Sequence, residues 1–189
     1  MCIRDSAIFV NPLTASLGVA TAIGYVLIYT PLKTRTSLST VIGAFPGAVP
    51  PLIGWAAATG RVPLIAWALF AIQFLWQFPH FLAIAWMYQE EYERAGIRML
   101  PVVERRGVAT AQQSIIYALL LIPVSLLPTL LGLTGMIYFY GALALGLFYL
   151  WASVRTGFDS SRTQARKLLL ASVIYLPLLF ALMVFDTIR

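Results

Sequence analysis

The 189-residue sequence is 60% hydrophobic and only 11% charged, with a formal net charge of +6. A soluble domain carries roughly 25% charged residues, so this composition excludes the ordinary soluble classes and indicates an integral membrane protein. The excess positive charge is typical of positive-inside membrane topology and is no sign of nucleic-acid binding. With one cysteine and one histidine, an intrachain disulfide and a metal site built from several such residues are excluded.

Six apolar segments are each long enough to cross the membrane as a helix. They lie at about 12–29, 38–59, 63–88, 110–131, 136–154 and 168–185, and they predict an all-α fold, a polytopic transmembrane helical bundle. Residues 1–6 lack the order of a signal peptide and are interpreted as a non-native leader. Asn11 followed by Pro12 predicts the start of the first helix, and Pro31 is expected to end it.

The second crossing is unusually rich in glycine and proline, with the sequence VIGAFPGAVPPLIGW. Proline removes backbone donors and clashes with the preceding turn, so a kink is expected. One interpretation is a kinked helix with close packing at its small residues. The other is a kink that makes room for a bulky ligand, and the sequence leaves both open.

Lysine and arginine are distributed unequally between the two sides of the predicted membrane. The loops at 30–37, 89–109 and 155–167 carry ten of these residues, whereas the opposite side carries three. The positive-inside rule therefore predicts that these three loops face the cytoplasm.

The third crossing carries three polar side chains, Gln73, Gln77 and His80. At about 100° per residue they lie on one face of a helix, and a helix that continues further would bring Glu91 to that face. Polar groups inside a bilayer usually face a cavity or another helix, so this stripe is a candidate active-site wall. Hydrogen bonding between helices is the alternative, and for His80 so are ligation of haem iron and contact with a headgroup.

Charged residues converge on the predicted cytoplasmic side: Lys33, Arg35, Glu90, Glu91 and Arg98. Carboxylates that hold Mg²⁺ beside cations that neutralise phosphate oxygens suit the binding of a diphosphate. A solvated loop with positive-inside charge is the alternative interpretation.

Four stretches carry a family resemblance: YTPLKTRT at 29–36, IGAFPGAVPPLIGW at 42–55, WQFPHFLAIAW at 76–86 and EEYERAGIRMLPVV at 90–103. Together they resemble the haem-modifying branch of the UbiA-like family of intramembrane prenyltransferases, from about Ala7 onward. The resemblance implies nine helices around a cavity in the bacterial inner membrane. It also implies transfer of a farnesyl group from farnesyl diphosphate, with Mg²⁺, to a vinyl group of haem B. The product would be haem O, the precursor of haem A, and haem A synthase or oxidase assembly factors are the expected partners.

The resemblance also assigns roles to individual residues. Glu90 and Glu91 fall on the second acidic motif, as catalytic residues and Mg²⁺ ligands acting through the diphosphate. The expected diphosphate-binding residues are Tyr29, Lys33, Arg35 and Arg98. The expected residues of the haem pocket are Gln73, Gln77 and His80.

One element of the family pattern has no counterpart in this sequence. The first acidic motif, Asn-x-x-x-Asp-x-x-x-Asp, is absent, and six crossings are present where the family has nine. Residues 7–189 are therefore expected to be the C-terminal part of a single prenyltransferase domain, inactive when alone. Two other functions remain open. One is a prenyltransferase acting on a quinone precursor or chlorophyllide. The other is a transporter, although the two halves show no inverted repeat.

Overall fold

The computed structural model describes residues 10–104, 106–159 and 161–187, and the leader assigned to residues 1–6 lies outside them. In this described part the protein is all-α, and six of its helices are long and apolar enough to cross a membrane, as predicted. These helices are Pro12–Leu32 (α1), Ser39–Thr59 (α2), Leu64–Met87 (α3), Val108–Leu130 (α6), Met136–Phe158 (α7) and Arg162–Phe185 (α8). Two short helices lie in the loop after α3, Gln89–Arg94 (α4) and Leu100–Val103 (α5).

The first helix begins where the sequence predicts. Asn11 caps α1, because its Oδ1 accepts hydrogen bonds of 2.8 Å from the backbone N–H and the hydroxyl of Thr14. The same side chain donates from Nδ2 to the backbone oxygen of Ala56 at 2.8 Å. Asn11 therefore both starts α1 and ties it to α2.

The predicted stop at Pro31 is wrong, because α1 continues to Leu32. Residues Gly24–Tyr29 form a π-helical turn, in which the Thr30 N–H donates to the oxygen of Tyr25, five residues back. The wider turn gives the ring of Pro31 the space that a regular α-helix would deny it.

Helix α2 is broken at Val49 into Ser39–Ala48 and Pro50–Thr59. The prolines at 50 and 51 have no N–H, so regular helical hydrogen bonding is interrupted there. The interruption lies at the prolines where the kink is expected.

Helix α3 is the centre of the bundle. It packs against α2, α6 and α8, and α7 packs against both α6 and α8. The resulting four-helix core of α3, α6, α7 and α8 contains three fully buried tyrosines, Tyr138, Tyr149 and Tyr175. Helix α1 packs mainly against α2, and only 11% of an 18-residue apolar stretch of α1 is buried.

Most of the segment 155–167, which the sequence predicts to be a loop, is helical in the structure. The predicted boundaries of this loop are therefore wrong. Helix α7 runs to Phe158 and α8 begins at Arg162, where Ser161 Oγ accepts a hydrogen bond from the Gln164 N–H at 3.3 Å. Hydropathy marks the part of a helix that lies in lipid, whereas capping groups set where it ends. The connections at 33–38, 88–107 and 159–161 share one end of the bundle, called the loop end below.

Candidate functional site

The polar residues of the third crossing do not form one stripe with the acidic pair. Helix α3 ends at Met87, and Tyr88 leaves the helical conformation with φ −116° and ψ 35°. Glu91 lies on the separate helix α4. The alignment of Glu91 with Gln77 and His80, expected for a continuous helix, therefore does not hold, because the break resets the helical phase.

Gln77 faces α2. Its side chain is only 3% exposed, and its Nε2 donates to the backbone oxygen of Ala44 at 2.9 Å. A Cβ atom at Gly47 would overlap Gln77 Oε1, so glycine is needed for this approach of the two helices. Gln73, one helical turn away, is half-buried and makes no hydrogen bond among the described residues.

His80 faces α8 instead. Its Nδ1 lies 2.8 Å from Ser172 Oγ, and its ring stacks on that of Trp76 with the centroids 4.8 Å apart. The Ser172 hydroxyl donates its single hydrogen to the oxygen of Leu169 at 2.6 Å. The Ser172 hydroxyl therefore lies between Nδ1 of His80 and the oxygen of Leu169, and this contact holds the His80 ring against α8.

A cavity of about 160 Å³ lies between α1, α2, α3 and the loop after α3. Its polar lining comes from Tyr25, Tyr29, Thr40, Gln77 and Tyr92. It brings together Tyr29, expected at the diphosphate, and Gln77, expected at the acceptor. A larger groove of about 380 Å³ on another face of α2 is almost entirely apolar, so it is a poor candidate for a charged ligand.

One face of α2 shapes this cavity. A Cβ atom at Gly43 would lie 2.5 Å from the Tyr29 ring, and Gly47 gives the same close approach to Gln77. Thr40 lies on this face too, and its Oγ1 is buried without a hydrogen-bond partner in the described part of the chain. Buried polar groups are normally paired, so this hydroxyl is free to pair with a ligand in the cavity.

Two of the predicted cationic residues, Lys33 and Arg98, are joined through their backbones near the cavity. The backbone N–H of Arg98 donates to the backbone oxygen of Lys33 at 2.9 Å. Lys33 follows the cavity residue Tyr29 by one helical turn, and Arg98 directly precedes the cavity residue Met99. None of Lys33, Arg35 and Arg98 lines the cavity itself, and Arg35 and Arg98 are exposed.

Glu90 and Glu91 are both exposed at the loop end. Glu90 pairs with Arg94 at 3.9 Å, an exposed pair that contributes little to stability. On an ideal helix Glu91 lies about 100° from the cavity residue Tyr92, and Glu90 lies about 160° from it. Of the two carboxylates, Glu91 is thus nearer to the cavity side of α4.

The described residues contain no group of three or more acidic, histidine or cysteine side chains that could hold a metal ion. Mg²⁺ is commonly bound by one or two carboxylates together with water and substrate phosphates. The exposed pair Glu90 and Glu91 fits that shared arrangement and does not fit a site formed by protein ligands alone.

Of the nine residues that line the cavity, sequence reasoning named only Tyr29 and Gln77 as site residues. The seven that it missed are Tyr25, Thr40, Gly43, Gly47, Phe81, Tyr92 and Met99. Thr40 had a usable signal, because its spacing to Gly43 and Gly47 places all three on one helical face. Tyr92 had none, since its direction depends on the break after α3. Burial of Tyr92, together with the neighbouring Tyr88, raises the pKa of its phenol above the usual value, which keeps it a neutral hydrogen-bond donor.

Replacing Gln77 by leucine is expected to lower the stability of the membrane-embedded chain by about 0.6–1.7 kcal/mol, the range for hydrogen bonds between membrane helices. The change removes the bond to Ala44 with little change in side-chain volume. Thermal unfolding in detergent measures the effect. Gln73→Leu is the control, since it removes an amide without a recorded partner, and an equal loss in both variants would contradict the assignment.

Comparison with known proteins extends these observations. The model of the UbiA prenyltransferase family matches residues 5–183 of the chain. Among curated relatives, a protoheme IX farnesyltransferase of Solibacter usitatus is 54% identical over 177 residues, which cover 94% of this chain and 61% of that protein. One of Koribacter versatilis is 52% identical, covering 93% of this chain and 59% of that protein. The chain thus spans about three-fifths of the length of these relatives.

A solved structure supports the fold. It is described as giving insights into digeranylgeranylglyceryl phosphate synthase in membranes, and it superposes with a TM-score of 0.77 at 18% identity. The match covers 94% of this chain and 62% of that one. This likeness shows the fold and agrees with the six membrane helices of the described residues. Because the family model matches nearly the whole sequence, the chain belongs to the UbiA prenyltransferase family.

Proposed function

We propose that this protein transfers the farnesyl group of farnesyl diphosphate to a vinyl group of haem B, giving haem O. The observation that carries the proposal is the backbone hydrogen bond between Arg98 and Lys33, which joins the two segments that supply Tyr29 and Met99 to the cavity. The names of the relatives from S. usitatus and K. versatilis support the choice of donor and acceptor.

The cationic side chains bind the diphosphate in this proposal. The Lys33 ammonium and the Arg98 guanidinium form charge-assisted hydrogen bonds with phosphate oxygens, and Arg35 adds a third cation in the same segment. The Tyr29 hydroxyl donates to the same group from inside the cavity. These donors stabilise the negative charge that develops on the leaving diphosphate, which is where electrostatic catalysis acts.

The reaction balances without an oxidant. The bond between farnesyl C1 and the diphosphate oxygen breaks, and the electron pair leaves with the diphosphate. The vinyl group of haem B supplies the electrons for the new carbon–carbon bond. Water then adds its hydroxyl to the other vinyl carbon, and one proton is released.

Mg²⁺ would be held by Glu90 and Glu91 jointly with the diphosphate. When bound, it neutralises charge on the phosphate oxygens and so favours departure of the diphosphate. The two carboxylates lie on the solvent-exposed helix α4, and their task is to keep the cation at the loop end of the cavity.

The acceptor is proposed to lie over α3, between α2 and α8. Gln77 reaches toward α2 and His80 toward α8, about 60° apart on the helix. Gln73 continues the surface one turn deeper in the membrane. Nδ1 of His80 is held by Ser172, so Nε2 is the ring nitrogen that we propose contacts the haem.

The protein is an integral membrane protein with six membrane helices in its described part. We place it in the bacterial inner membrane with the loop end in the cytoplasm, where farnesyl diphosphate is accessible. The excess of lysine and arginine at that end supports this orientation. Haem A synthase and oxidase assembly factors are the proposed partners, because they consume the product.

A chimera tests the function. This chain replaces the matched segment of the S. usitatus relative, and the product is assayed in proteoliposomes with farnesyl diphosphate, Mg²⁺ and haem B by mass spectrometry. Haem O formation at a rate comparable to that of the relative is the expected result. A folded chimera that makes no haem O, or that prenylates a quinone precursor instead, would overturn the proposal. The chain alone is the comparison and is expected to show no turnover.

In the same chimera, Glu91→Gln is expected to lower turnover more than Glu90→Gln. Glu91 lies nearer the cavity side of α4, whereas Glu90 points away and pairs with Arg94. Removing one metal-binding carboxylate corresponds to a loss of roughly 10-fold or more, as for a lost charge-assisted hydrogen bond. Steady-state rates at saturating Mg²⁺ make the comparison, and equal losses would place both carboxylates at the same distance from the diphosphate.

A further inference from the structure

A second groove lies on the outer surface of the bundle, between α7 and α8, with a volume of about 270 Å³. Its upper part at the loop end carries Arg155, Gln164 and Lys167, and its lower part carries Leu170 and Ile174. It shares no residue with the cavity between α1, α2 and α3. This α7–α8 groove is therefore a separate site.

The charge of the groove is positive. Arg155 and Lys167 are both exposed, and neither makes an ion pair within the described residues. The lining contains no acidic side chain. The nearby carboxylate of Asp159 makes no ion pair with either cation. It accepts hydrogen bonds of 3.1 Å from the backbone N–H and the hydroxyl of Ser161.

An aromatic ring positions one of the cations. The guanidinium of Arg155 lies over the ring of Trp151 with 5.1 Å between its carbon and the ring centroid. Stacking of this kind restrains the guanidinium plane and leaves its N–H edge free to donate. Trp151 is 55% exposed, as is usual for tryptophan at a membrane interface.

The depth of the groove matches the layers of a bilayer. Arg155 lies roughly 5 Å inside the loop end of α7, and Lys167 lies roughly 8 Å inside that of α8. Deeper in the membrane the groove becomes apolar, and its residues Leu170 and Ile174 are 53% and 49% exposed. Polar donors thus lie at headgroup level, directly above an apolar channel at acyl-chain level.

We propose that the α7–α8 groove binds an anionic phospholipid of the surrounding bilayer, with its phosphate between Arg155 and Lys167. Gln164 donates to the headgroup oxygens, and one acyl chain lies along Leu170 and Ile174. Basic pockets between membrane helices are suited to anionic headgroups. A free phosphate ion would use only the upper half of this groove, so its continuous apolar lower half identifies a lipid.

Native mass spectrometry of the delipidated chain tests the site, with phosphatidylglycerol and phosphatidylcholine of identical acyl chains as probes. The double variant Arg155→Gln/Lys167→Gln is expected to bind phosphatidylglycerol roughly 30-fold more weakly, because each cation near an anionic headgroup contributes about 5-fold. The matched control is Arg106→Gln/Arg166→Gln. It removes the same charge from two exposed positions at the same end and is expected to bind like the unchanged chain.

Three results would overturn the proposal. They are equal binding of the two lipids by the unchanged chain, equal weakening in both double variants, and displacement of the lipid by millimolar inorganic phosphate. Crosslinking of the unchanged chain by a phosphatidylglycerol with a photoreactive acyl chain decides the question if the double variant does not fold. Adducts are expected at Leu170 and Ile174, and adducts confined to other helices would place the lipid elsewhere.

Discussion

Replacing Arg98 by glutamine in the S. usitatus chimera is expected to lower turnover with farnesyl diphosphate roughly 10- to 150-fold. This range corresponds to the loss of one charge-assisted hydrogen bond, about 1.5–3 kcal/mol. The Arg98 backbone N–H, and not its side chain, bonds to Lys33, so the change removes the cation while the fold of the loop is retained. Lys33→Gln is expected to have a similar effect.

Arg94→Gln is the matched control for these variants. Arg94 lies at the same end of the bundle, but it points away from the cavity and pairs with Glu90. Its loss is expected to leave turnover within about 2-fold, because exposed ion pairs have little energetic weight. If Arg94→Gln lowers turnover as much as Arg98→Gln, the diphosphate is bound by the overall positive charge of this end and not by Lys33 and Arg98 in particular.

The largest stability effect is expected from Gly107→Ala. Gly107 has φ +78°, and a Cβ atom there would overlap the ring of Trp86 at Cη2. Overpacking typically costs about 1–3 kcal/mol and a left-handed non-glycine residue about 1–2 kcal/mol more, so a loss of about 2–5 kcal/mol is expected. Thermal unfolding of the chain in detergent measures this loss.

Two further variants separate the causes. Gly60 also has a left-handed backbone, with φ +69°, but nothing lies within 4 Å of its Cβ position. Gly60→Ala is thus expected to show only the backbone part, about 1–2 kcal/mol. Trp86→Phe combined with Gly107→Ala is expected to recover part of the overpacking loss. Equal effects at Gly60 and Gly107 would mean that the tryptophan moves aside freely.

The number and order of the membrane helices could be read from hydropathy, because burial in lipid demands long apolar segments. Their ends could not, as the first turns of α8 show. Residues 162–167 are polar and read as a loop, yet the Ser161 cap starts a helix there. The end of α1 that was predicted at Pro31 was wrong for a related reason, because a π-helical turn accommodates this proline within the helix.

Part of the candidate site also followed from the sequence. The backbones of Lys33 and Arg98 meet one helical turn from the cavity residue Tyr29. The hydrogen bond that joins Lys33 and Arg98 is between backbone atoms, so it could not be predicted from the residue types. The face shared by Gln77 and His80 was predictable, whereas their separate partners were not. A difference of about 60° on α3 is enough to reach two different neighbouring helices.

The two walls of the candidate site differ in how tightly they are packed, because α1 is only weakly anchored to the bundle. The cavity wall formed by α3 belongs to the tightly packed four-helix core. Tyr29 lies on α1, which packs mainly on the broken helix α2, and Lys33 directly follows α1. Local opening in proteins follows such differences in packing. Opening of α1 would separate the two walls while the core stays folded. Docking of this helix would then also assemble the half of the site that is proposed to bind the diphosphate.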